Sequence, residues 1–102
     1  MKLLVKFDVD ADIMDVPEFV VEDADMYRRR FWKWLSDPSV KHKYWRKGKD
    51  GNGNTFMGLC FRSDAFAEWL NRKVLKNDQK KAVVLEEHVD MTKFEELPYI
   101  FF

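Results

Sequence analysis

The apolar residues of this chain recur at two different periods, and the switching between them limits the folds it can adopt. Over residues 2–9, Leu3, Val5, Phe7 and Val9 occupy every second position, the spacing of one strand face. Over residues 24–36, Tyr27, Phe31, Trp34 and Leu35 recur at i, i+4, i+7 and i+8, which gathers them into one helical stripe. Asp23 stands where an N-cap belongs, and Pro38 stops the helix because a helix interior cannot carry its ring. A second helix is predicted over residues 64–76. Ser63 is its N-cap, and Phe66, Leu70 and Val74 form its buried face beside Trp69.

Three further strands follow from the same pattern. Residues 41–47 alternate His42, Tyr44 and Arg46 with Lys43, Trp45 and Lys47, which suits a half-exposed strand. Residues 55–62 are apolar on both faces and predict a central strand, joined to the previous one by the turn Gly48 to Asn54. Residues 81–89 are the last strand. Residues 10–22, with Pro17, read as a long connection in which Phe19-Val20-Val21 makes an edge strand or a flap. The order predicts an α+β domain of ferredoxin-like βαββαβ type: a four-stranded antiparallel sheet with two helices on one face. Phe31, Leu35, Leu59, Phe61 and Leu70 are its expected core. With 102 residues the chain is one domain, 1–102. Its tail, residues 90–102, packs back because Tyr99-Ile100-Phe101-Phe102 is too apolar for water.

Composition narrows the function. Aromatic residues make up 16% of the chain, which argues against disorder despite 35% charged residues. No apolar run approaches the ~18 residues of a membrane span. Lys6 interrupts the first apolar run and no small-residue cleavage site follows, so neither a membrane segment nor a signal peptide is expected. Cys60 is the sole cysteine, which excludes an intrachain disulfide and suits a cytoplasmic setting. Between Leu59 and Phe61 it is expected to be an inert core thiol.

Catalytic patterns are missing. His42 and His88 lie on different strands, and a Cys–His pair requires one of them beside Cys60 on the same sheet face. There is no Gly-rich phosphate loop and no serine nucleophile elbow. The run Asp50-Gly51-Asn52-Gly53-Asn54 has the composition of a calcium loop. Taking Asp50 as the third ligand puts Gly48 first and Leu59 twelfth, where carboxylates are required, so a hairpin turn is expected instead. Asp8, Asp10, Asp12 and Asp15 have no His or Glu at metal-site spacing. Neither enzyme, cofactor nor metal is expected.

The net charge is zero but the charge is divided. Residues 8–25 hold eight acids and no base, whereas residues 28–49 hold nine bases and one acid, Asp37. The two blocks either cancel each other in the fold or make a dipolar surface with a binding face at one pole, acidic 8–25 or basic 28–49. The residues expected to meet a partner are Arg28, Arg29, Trp32, Lys33, Lys43, Trp45, Arg46 and Lys47. This pattern predicts a non-catalytic binding protein whose partner is a protein: an accessory factor or inhibitor of a larger machine, a class with phage-encoded members. The alternative is a single-stranded nucleic-acid or RNA-binding domain, because cations in block 28–49 neutralise phosphates while aromatics stack on bases. The βαββαβ order is similar in topology to the RNA-recognition motif. Phe56, Leu59 and Phe61 fit that motif's third-strand pattern; Asn54, Thr55, Met57 and Gly58 do not. Homodimerisation through an open sheet face or a strand edge is a third arrangement.

Overall fold

In the computed structural model, which covers residues 1–102, the first strand stops at Lys6 because the chain turns back through Phe7-Asp8-Val9-Asp10. Strand β1 (Lys2–Lys6) pairs antiparallel with β2 (Ala11–Asp15), with Leu4 opposite Ile13. The long connection expected over 10–22 is therefore a strand and a short helix. Four successive residues of β2, Ala11 to Met14, are buried, so both of its faces are covered and the alternation that marks a half-exposed strand is lost. Phe19-Val20-Val21 belongs to helix α1 (Glu18–Glu22), which begins directly after Pro17.

Helix α2 (Ala24–Ser36) has the predicted limits, and Phe31 and Leu35 are fully buried on its stripe. Asp23 occupies the N-cap position without a side-chain cap bond; its carbonyl accepts the Tyr27 N–H at 3.1 Å. Strands β3 (Trp45–Lys49) and β4 (Thr55–Leu59) form a hairpin. Helix α3 (Ser63–Trp69) runs on into one π-helical turn, Leu70–Val74. Strand β5 (Val83–Val89), a 3₁₀ turn (Met91–Phe94) and strand β6 (Tyr99–Phe101) complete the chain.

The domain is α+β, but its sheet is not the antiparallel one predicted. The strand order is β5-β2-β1-β6, and β6 runs parallel to β1. The hairpin expected at the sheet centre is a separate two-stranded sheet, and residues 55–62 are not a central strand. Phe56 and Met57 are each about half exposed, at 52% and 53%. Leu59 and Phe61 are only partly buried, unlike Phe31, Leu35 and Leu70.

The helices cover one face of the four-stranded sheet, and the opposite face is covered at its centre but leaves Val83, Tyr99 and Phe101 about half exposed. Leu3, Val5, Met14 and Ile100 pack under α2 and α3, in a core with Phe31, Phe66 and Leu70. Phe31 meets the rings of Phe66, Trp69, Phe61 and Phe102 edge-on at 5.2–5.9 Å, the arrangement that aromatic quadrupoles favour. The opposite face carries Leu4, Ala11, Ile13 and Val89, with Met91, Phe94 and Leu97 laid over them.

One carboxylate joins three of these elements. Asp12 of β2 is fully buried on the helix side, since its register partner on β1 is Val5. It accepts the backbone N–H and hydroxyl of Ser63 at the start of α3, two guanidinium N–H groups of Arg62, and the backbone N–H of His88. Ser63 thus donates its hydroxyl across the core instead of capping its own helix. A bulge in β5 makes room: Ala11 and Ile13 face Val89 and Glu86, so three steps on β5 match two on β2. His88 lies in that bulge with φ of 57°, in the left-handed region that few non-glycine residues adopt.

Burial opposes ionisation of Asp12, but the hydrogen bonds from Arg62, Ser63 and His88 outweigh it and hold the carboxyl below its usual range. A carboxyl lowered in the fold stabilises the protein fully above its unfolded value of about 3.9 and loses that contribution as pH falls through the lower folded value. Asp12→Asn should therefore cost about 3–5 kcal/mol at pH 7, the range for removing one partner of a buried ion pair. Urea denaturation of both proteins should show the gap narrowing below pH 4. A gap independent of pH would refute the assignment of charge to Asp12.

Candidate functional site

The feature that departs most from a packed core is the β3–β4 hairpin. Trp45 faces Leu59, Lys47 faces Met57 and Lys49 faces Thr55 on one side; Arg46 and Gly48 face Gly58 and Phe56 on the other. Neither side presents an apolar row to a core, and apart from Gly48 and Gly58 only the foot of the hairpin, Trp45 and Leu59, is half-buried. The rest projects as an arm. The radius of gyration is 14.8 Å, against about 13 Å for a compact chain of this length.

Local chemistry shapes the arm. At its tip the Asp50 carboxylate accepts the N–H groups of Asn52 and Asn54 at 2.9 and 3.0 Å, so it is spent on the turn. Gly53 supplies the φ of +81° that the turn requires. Midway, the Phe56 ring lies over Gly48, where a Cβ would come within 2.6 Å of the ring's Cζ. Aromatic cover of a strand glycine in this way pins register.

An aromatic stack anchors the foot. The His42 ring sits between Trp34 and Trp45, at 4.9 and 5.5 Å between centroids. His42 Nδ1 accepts the Tyr44 N–H, so the proton is on Nε2, which donates to the Leu35 carbonyl at the end of α2. The Trp45 indole N–H donates to the Val40 carbonyl. Tyr44 is buried against α3 and donates its hydroxyl to Glu68; burial and that carboxylate push the phenol up. The Glu68 carboxyl is held low by Tyr44, with Lys43 and Arg72 beside it.

The expected partner-binding residues divide into two groups. Lys43, Trp45, Arg46 and Lys47 come together on the arm and its foot, and Lys33 lies below them on α2. Arg28 and Arg29 are instead bonded to Asp25 at 3.1 and 3.4 Å. At ~100° per residue, Arg28 and Trp32 share the Asp25 flank of α2, while Arg30, Lys33 and Trp34 share the other. Trp32 is 44% exposed and sits 6.2 Å from Phe61. Asp25 is the one acid of block 8–25 that pairs with block 28–49. Asp10 and Asp12 pair with Arg62, and Asp15 pairs with the N-terminus and Lys80. The basic pole is therefore left open: Arg30, Lys33, Lys41, Arg46, Lys47 and Lys49 have no carboxylate within 4.0 Å.

The cysteine expected in the core is exposed. Cys60 leaves β4 beyond Leu59, and its backbone N–H bonds the Tyr44 carbonyl. Neither histidine is bonded to it: His42 is engaged as above, and His88 Nδ1 bonds Asp10 at 2.7 Å. No three His, Cys, Asp or Glu side chains gather as a metal site. No helix is long and apolar enough to cross a membrane. Sequence reasoning missed Phe56 and Met57 as surface residues. The signal was in their partner strand, Trp45-Arg46-Lys47-Gly48-Lys49, which has no apolar face to bury. Comparison with family models, curated proteins and solved structures finds no significant match.

The ring over Gly48 gives the arm a spectroscopic signature. The Gly48 Hα resonances should be shifted upfield by the Phe56 ring current in the native protein and return to ordinary values in Phe56→Leu. The unfolding midpoint should stay the same, since the arm is outside the core. Unshifted Gly48 protons in the native protein would show that the ring is elsewhere.

Proposed function

We propose that this chain is a non-catalytic binding protein and that the β3–β4 arm docks on another protein. The observation that carries this reading is the exposure of Phe56 and Met57 on a two-stranded hairpin that no other strand or helix covers. An isolated hairpin is marginally stable in water, and exposed aromatic and methionine side chains are the anchors that interfaces bury. Arg46, Lys47 and Lys49 surround these anchors, and the arm's one carboxylate, Asp50, is turned into the tip. The complementary surface is an apolar cleft with acidic rims, which would also speed encounter by electrostatic steering. An accessory factor or an inhibitor would use such an arm, and neither role requires a pocket with converging catalytic groups. The exposed single thiol of Cys60 suits a reducing compartment.

Affinity capture from lysate, carried out with and without nuclease treatment, tests this. The wild-type chain should retain a protein that the Phe56→Ser/Met57→Ser variant does not, while both unfold at the same denaturant concentration. Recovery of only the chain itself would favour a homodimer, and loss of the captured protein on nuclease treatment would favour a nucleic-acid partner. Either result overturns the reading.

A further inference from the structure

A second surface, beside the foot of the arm, has its own chemistry. Between α2 and the π-helical turn lies a hollow of about 420 Å³, floored by Trp34 and Trp69 and rimmed by Arg30, Lys33 and Lys73. Trp34 also walls a neighbouring hollow of about 240 Å³, whose rim carries Lys41, Lys43 and Arg72. The two hollows adjoin at Trp34, the residue that lines both, and together make a basic track. Its six cations come from three parts of the chain: α2, the loop before β3, and the π-helical turn. Two carboxylates line it. Glu68 is already bonded to Tyr44, Lys43 and Arg72. Asp37 accepts the N–H and hydroxyl of Ser39. Arg30, Lys33, Lys41 and Lys73 remain without a carboxylate partner.

None of the acids in block 8–25 lines this track. Trp34 is the half-buried ring of the floor; Trp69 is buried in the core behind it, with the Arg30 guanidinium 5.8 Å from its ring centre. Unpaired cations spaced along a shallow channel with an aromatic floor suit a flexible chain of phosphates that carries flat rings. A compact anion would contact only one end of it, and an acidic peptide would leave the rings unused. We infer that this track binds a single-stranded polynucleotide, with Arg30, Lys33, Lys41 and Lys73 on successive phosphates and Trp34 at the centre of the floor. The arm is not required for this binding, so the inference stands or falls apart from the protein-docking reading.

The test is fluorescence anisotropy with labelled twelve-nucleotide single strands, oligouridine and oligothymidine, between 50 and 200 mM salt. Four phosphate contacts at about −0.7 each on a log–log plot give a slope near −3, a loss of about 50-fold over that range. Lys33→Gln/Lys73→Gln should reduce the slope by about 1.4, one increment for each contact removed. Lys47→Gln/Lys49→Gln removes the same charge from the arm and should leave the slope unchanged. Circular dichroism of both variants should match the wild type, as all four lysines are exposed. Tighter binding of uridine than thymidine strands would identify RNA as the source of the phosphates, and the reverse would identify DNA; both support the track. The inference is overturned by no binding at 50 mM salt with tens of micromolar protein. It is also overturned if the arm variant lowers the slope and the track variant does not, if a duplex of the same length binds more tightly, or if polyglutamate binds equally well.

Discussion

The Asp12 carboxylate is the contact through which sheet, helix and bulged strand hold one another in place. A buried charge is costly unless its lone pairs are filled, and here they are filled by groups from the start of α3 and from β5. Ser63 fixes the start of α3 above β2. Arg62 fixes the residue before it, with its guanidinium 4.5 Å from the centre of the Phe7 ring in the turn after β1. The His88 N–H, which the bulge removes from the β2–β5 ladder, finds its acceptor here. Asp10 adds a second carboxylate to Arg62 and receives the His88 ring; these bonds hold its own carboxyl low. Apolar packing alone would leave the angle between α3 and the sheet poorly defined. The directional bonds to one carboxylate define it.

This anchoring bears on where binding surfaces occur. With Asp10, Asp12 and Asp15 committed to Arg62, Lys80 and the N-terminus, three of the eight acids of that block are drawn away from the basic one. The basic residues around Trp34 and along the arm are left facing solvent. The overall neutrality of the chain conceals this, because Asp25, bonded to Arg28 and Arg29, makes the one pairing between the two blocks. The aromatic stack Trp34–His42–Trp45 then joins the foot of the arm to α2. It places the arm and the track side by side on one rigid support.

Local periodicity made α2 legible to the residue, since its stripe is long and Pro38 ends it sharply. The helix at residue 63 was legible too, but its continuation as a π-turn was not, because both geometries put Phe66 and Leu70 on one face. The strands were harder. β2 hides its pattern behind Asp12, a charge at a core position whose partner is fifty residues away. β4 carries an apolar string, Phe56-Met57-Gly58-Leu59, that resembles a buried strand; its burial was decided by the polar faces of β3 opposite it. Of the residues expected to meet a partner, those of the arm were singled out by their mixture of bases and aromatics. Arg28 and Arg29 are paired with Asp25, one helical turn earlier, which the charge count of the blocks does not reveal. Lys73 could not be joined to Lys33 without knowing how α2 and the π-turn pack.

The parallel pairing of β1 with β6 brings together the first and last segments described, Val5 beside Ile100. A ladder between residues so distant in sequence forms only after the intervening chain has been largely positioned, since closing that loop loses much conformational entropy before any contact repays it. The β1–β2 and β3–β4 hairpins, by contrast, close over a few residues each and are able to form early. Folding is then expected to be hierarchical in time, with β6 the last strand to join and the exposed edge of β1 vulnerable to wrong pairing until it does. Such an edge is a template for association with other chains. The final three-residue strand therefore acts as a guard against aggregation, out of proportion to the area it buries.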